Sequence, residues 1–87
     1  METIIVTITD ERGSFFIDVE VPIDLPMGKL KDDIVQTLNG YCPELYLVSL
    51  GTEIISKRCK KVLRDEETLE QAGVWNGDYL TLISGRN

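Results

Sequence analysis

The chain has 87 residues, 43% of them hydrophobic and 28% charged, and a net charge of −6. That is enough for one folded domain with a single small core, and the composition argues against disorder. An acidic balance disfavours nucleic acid and anionic membrane surfaces as partners. No apolar run reaches the roughly 18 residues of a membrane span and no basic-then-apolar leader opens the chain, so a cytoplasmic protein without membrane insertion is expected.

Residues 3–9 alternate, with Ile4, Val6 and Ile8 on one side and Thr3, Ile5, Thr7 and Thr9 on the other. Period two and β-branching predict a strand. Asp10-Glu11-Arg12-Gly13-Ser14 reads as a turn. A second alternating run follows, with Phe15, Ile17, Val19 and Val21 inward and Phe16, Asp18 and Glu20 outward, which predicts a β-hairpin. Pro22 ends it.

Asp24 is suited to cap a helix and Pro26 to its first turn. Met27, Leu30, Ile34 and Leu38 then recur at helical spacing, with Lys29, Lys31, Asp32, Asp33 and Gln36 opposite. Asn39-Gly40 reads as the C-terminal cap, with Gly40 left-handed. Leu45 to Leu50 predicts a third strand, Gly51-Thr52 a turn and Glu53-Ile54-Ile55 a fourth strand. Residues 56–67 read as irregular and hold five of the nine basic residues. Thr68 and Gln71 predict a capping box on a brief helical turn, which Asp65-Glu66-Glu67 favours through its positive end. Asn76-Gly77-Asp78 turns the chain into a last strand, Tyr79 to Ile83, with Leu80 and Leu82 inward. The whole is a single domain spanning 1–87, an α+β fold with order β-β-α-β-β-(short helix)-β and the last strand parallel to the first at the sheet centre.

The chain has no histidine, so Cys-His and Ser-His catalytic dyads are impossible. Asp32 and Asp33 are adjacent on a helix and do not face one another, so they read as solvated surface. Cys42 and Cys59 form no metal motif and are expected as reduced thiols. No enzyme activity, catalytic residue, cofactor or metal is expected.

Asp18-Val19-Glu20-Val21-Pro22 with Asp24-Leu25-Pro26-Met27-Gly28-Lys29-Leu30, then Thr68-Leu69-Glu70-Gln71-Ala72-Gly73-Val74, then Asn76-Gly77-Asp78-Tyr79-Leu80-Thr81-Leu82 together carry a resemblance. The element order resembles ubiquitin, and the three stretches resemble the YukD-like (EsaB-like) family of small ubiquitin-like proteins of type VII-like (Esx) secretion systems in Gram-positive bacteria. The resemblance implies a β-grasp fold and a non-catalytic accessory or regulatory component that binds other proteins, here components of the secretion machinery. Residues 56–67 depart from it by looking longer and more basic than the family's usual connection.

Two alternatives stand beside this reading. A sulfur carrier or conjugated modifier would need a terminal Gly-Gly, whereas the sequence given ends Ser84-Gly85-Arg86-Asn87, so no conjugation is expected. The chain could also be the ubiquitin-like cytosolic domain of a larger membrane protein.

Candidate protein-binding residues are Val48 and Ile83, read as outward aliphatics on adjacent strands, and Trp75, read as either an interface anchor or a cover for one end of the core. Lys57, Arg58, Lys60 and Lys61 form the basic segment, with solvated loop, protein contact and nucleic acid as its alternatives. No aromatic is interleaved for base stacking, which disfavours the last.

Overall fold

The computed structural model describes residues 2–43 and 52–83. Among these, β1 (Thr3–Asp10), β2 (Phe16–Pro22), α1 (Met27–Tyr41), β3 (Glu53–Ser56), β4 (Lys61–Val62), α2 (Leu69–Ala72) and β5 (Tyr79–Ile83) follow in chain order. The sheet runs β2-β1-β5-β3-β4. β5 pairs in parallel with β1 and antiparallel with β3, so the last strand lies beside the first at the sheet centre, as expected from the element order. This mixed sheet on one crossing helix is the β-grasp expected from the sequence.

The helical stripe is buried as its spacing required. Met27, Leu30, Ile34 and Leu38 pack with Val6, Ile8, Val21, Ile54, Leu80 and Leu82 in one core. Leu63, Leu69, Ala72 and Val74 close its edge.

The ends of α1 differ from expectation. Pro26, not Asp24, is the N-cap, and no side chain caps it. The Met27 and Gly28 N–H groups instead donate to the backbone carbonyls of Glu67 (2.7 Å) and Asp65 (3.0 Å). A distant loop thus satisfies two of the free donors that every helix start carries. A Cβ on Gly28 would lie 3.3 Å from the Asp65 Cβ, so the glycine admits that loop. The acidic run therefore sits beside the start of α1, and Lys31 reaches Asp65 at 3.0 Å. At the other end the helix runs through Gly40, which is not left-handed, and the Cys42 N–H closes on the Leu38 carbonyl at 2.8 Å. Pro43 then stops it.

Residues 56–67 are not wholly irregular. Lys61 and Val62 fold back on Ser56 and Ile55 as an antiparallel pair. Lys60 makes the return possible by adopting a left-handed φ of 56°, the only non-glycine among the described residues to do so. The predicted strand 45–50 and the residue Gly51 lie outside the described residues. The capping box of α2 is present: the Gln71 N–H donates to Thr68 Oγ1 at 3.1 Å, and the Thr68 N–H donates to Gln71 Oε1 at 3.0 Å. Gly73 ends α2 in the left-handed region, as C-terminal caps favour.

Glu67 ties this region together. Its carboxylate accepts the Arg64 N–H (2.9 Å) and the Lys61 ammonium (3.2 Å). The Arg64 hydrogen bond first, then Lys61, holds its pKa below the ordinary 4.5. A depressed carboxylate contributes stability that is present above its unfolded pKa and lost as pH falls through the folded one. Glu67→Gln should therefore melt earlier than wild type near neutrality, and the difference should shrink on acidification below about 4.5. Thermal melts across pH check this.

Candidate functional site

Among the described residues α1 covers one face of the sheet and leaves the other bare. Register sets one row of that bare face across the five described strands: Phe16, Thr9, Thr81, Ile55, Val62. The next row carries Asp18, Thr7 and Tyr79. Phe16 and Tyr79 meet edge to face, centroids 6.3 Å apart. Phe16 is 62% exposed, and Ile5, Val62 and Tyr79 are exposed as well. Exposed aromatic and aliphatic side chains gathered on one face mark interaction surfaces.

A groove of about 660 Å³ runs over this face, lined by Phe16, Ile55 and Thr81 and rimmed by Arg12, Lys57 and Lys60. Among the described residues none of these three cations pairs with a carboxylate. Lys57 lies 5.9 Å above the Tyr79 ring. Asp10 lines the groove too. Burial acts to raise its pKa, but hydrogen bonds from the Ser14 hydroxyl and N–H outweigh it and hold the carboxyl below the ordinary 3.8.

The basic segment therefore divides. Lys57 and Lys60 face the groove. Arg58 and Lys61 are engaged within the domain, with Asp78 at 3.1 Å and Glu67 at 3.2 Å. Arg58 also donates to the Gly73 carbonyl and stacks 4.0 Å from the Trp75 ring centre. Trp75 is 64% exposed, so it is no cover for the core; its backbone N–H donates to Asp78 Oδ2 at 2.8 Å. The turn after it is fastened to β1, where the Ile5 N–H donates to Asn76 Oδ1 and the Gly77 N–H donates to the Ile5 carbonyl, both at 2.7 Å.

Ile83 is half-buried on the bare face, registered against Glu53. Val48 lies outside the described residues. Phe16, Ile55, Val62 and Tyr79 were not singled out from the sequence, although an outward phenylalanine on an alternating strand was a visible signal. Cys42 and Cys59 are free thiols, and no cluster of potential metal ligands occurs among the described residues. No helix among them is long and apolar enough to cross a membrane.

Three solved structures place this geometry among known proteins. The ubiquitin-like domain of the Mycobacterium tuberculosis type VII secretion system protein ECCD1 is 28% identical, with a TM-score of 0.74 over 97% of this chain and 100% of that one. Caldiarchaeum subterraneum ubiquitin is 24% identical, with a TM-score of 0.73 over 99% of this chain and 98% of that one. The UBL domain of Plasmodium falciparum Dsk2 is 23% identical, with a TM-score of 0.75 over 97% of this chain and 100% of that one. The last two likenesses show the fold alone. No curated protein matches the chain. The sequence pattern of YukD, a protein of the WXG100 protein secretion system (Wss), matches residues 3–82, nearly the whole length, and the chain therefore belongs to the YukD family of ubiquitin-like proteins associated with type VII secretion.

Proposed function

We propose that this protein is a non-catalytic cytoplasmic module that binds components of a Gram-positive type VII-like secretion machinery through the bare sheet face. The observation that carries the reading is the exposed Phe16, Val62 and Tyr79 side chains on one sheet face beside three cations unpaired among the described residues, on a domain of net charge −6. Ile83 borders this surface; Val48, Trp75, Arg58 and Lys61 are the other binding candidates, with Arg58 and Lys61 acting through the structure around them. Apolar contact supplies affinity, and Lys57 and Lys60 supply electrostatic steering.

Lys60 strengthens the reading. A left-handed backbone costs a non-glycine residue of order 1–2 kcal/mol, so glycine would serve the turn better. A lysine held there has a use beyond folding. Lys60→Gly should raise the melting temperature yet weaken partner capture and flatten its salt dependence. Phe16→Asp should abolish capture of purified components of the cognate secretion system while changing stability by no more than about 0.5 kcal/mol, as exposed substitutions do. Undiminished capture by Phe16→Asp would move the docking site elsewhere, and Trp75 would be tested next.

The likeness to a domain of ECCD1 favours a second reading, in which this chain is the ubiquitin-like domain of a larger protein. An immunoblot of the native cell separates the two: one shows a species of 87 residues, the other a larger one.

A further inference from the structure

Among the described residues β2 is an edge strand, because the sheet order places β1 on one side of it and no described strand on the other. Its hydrogen-bonding phase is fixed just beyond its end, where the Ile23 N–H donates to the Glu2 carbonyl at 3.1 Å. Antiparallel ladders alternate, so Val21, Val19 and Ile17 also turn their main chain toward β1. The N–H and C=O groups of Phe16, Asp18 and Glu20, with the Pro22 carbonyl, then point away from the sheet. A row of open backbone groups is a template for one more strand.

Beside this edge a groove of about 280 Å³ lies between β2 and α1, with Val19, Val21, Leu30 and Ile34 on its apolar floor. Tyr41 stands at its mouth, 70% exposed. The rim is acidic: Asp33 on α1, Asp18 and Glu20 on β2. Asp18 and Glu20 accept hydrogen bonds from the Thr7 and Thr3 hydroxyls, and among the described residues neither meets a cation.

We infer that β2 and this groove form a second binding site, for an extended segment of another protein in which basic and apolar residues alternate. Added beside β2, such a strand bonds to the open backbone groups. Its apolar side chains enter the groove, and its basic ones lie on the opposite face beside Asp18 and Glu20. The charge pattern selects this occupant over a second copy of the chain. Antiparallel pairing of β2 with itself would set Asp18 and Glu20 against like charges, which is destabilising. The site borders the docking face proposed above and shares Phe16 and Asp18 with it, but it binds through the backbone edge of β2 and the groove beside α1.

The test uses a fluorescent seven-residue peptide, the length of β2, alternating lysine and valine. It is compared with the same peptide N-methylated at alternate residues, which keeps the charge and removes the donors. Fluorescence anisotropy should show the unmodified peptide binding about tenfold or more tightly, and NMR should place the largest amide shifts at Phe16, Asp18 and Glu20. The double variant Asp18→Lys with Glu20→Lys, both exposed, should lose that peptide and gain one alternating glutamate and valine. Equal binding of the methylated peptide by wild-type protein, shifts confined to Ile55, Val62, Tyr79 and Thr81, or a wild-type dimer shifted at β2 would each overturn the inference.

Discussion

Leu30→Ala should cost about 2–5 kcal/mol of folding stability, as large-to-small core substitutions do. Leu30 is 1% exposed, in the middle of the stripe that α1 lays on the sheet. Its removal takes away contacts with both layers, and the helix is pinned at its start by the carbonyls of Asp65 and Glu67, which resists collapse into the void. A domain of this size has few kcal/mol to lose. Each kcal/mol lowers the melting temperature by about 4–8 °C in chains of this length. The variant should therefore be partly unfolded at physiological temperature. Gln36→Ala, on the exposed side of the same helix, is the control and should shift stability by no more than about 0.5 kcal/mol. Thermal and denaturant melts of both measure the difference; near-equal curves would remove Leu30 from the core.

The features legible in the sequence are those written in local period. Ile4, Val6 and Ile8 alternate, and so do Ile17, Val19 and Val21; Met27, Leu30, Ile34 and Leu38 keep helical spacing. All of these residues are buried or half-buried in the structure. The reciprocal Thr68–Gln71 cap was equally legible, because both partners lie within one turn. The ends of α1 were not. Asp24 and Gly40 carried plausible local signals, but the groups that cap its start come from residues 65 and 67. β4 escaped because two residues have no period, and its lysine lay within a run of charge.

The site was half legible for a related reason. Alternation alone turned Phe16 outward, but only strand register aligns it with Ile55 and Val62. Nor could five basic residues be sorted in one dimension. Arg58 finds its carboxylate 20 positions along the chain and Lys61 finds its own 6 away, while Lys57 and Lys60 find none among the described residues.

Arg58→Ala should accordingly behave as a structural lesion, not as the loss of a steering charge. The guanidinium joins the Asp78 carboxylate, the Gly73 carbonyl and the Trp75 ring, so it bolts the β3–β4 turn to the end of α2 and the start of β5. Charge-assisted hydrogen bonds contribute roughly 1.5–3 kcal/mol and a cation–π contact about 0.5–1. The arginine side chain is 38% exposed, so solvent screening discounts the sum, and a net loss of about 2 kcal/mol is expected. Arg58→Lys should recover only part of it, because a lysine lacks the planar fork that serves Asp78 and Gly73 while lying flat on an indole. Trp75, the only tryptophan, reports the change directly: its fluorescence should alter in both variants, in Arg58→Ala before any global unfolding. Lys57→Ala should leave both fluorescence and melting temperature nearly unchanged and weaken partner association at low salt. If Arg58→Ala melts like wild type, the guanidinium is a surface cation after all and joins Lys57 and Lys60 in the docking face.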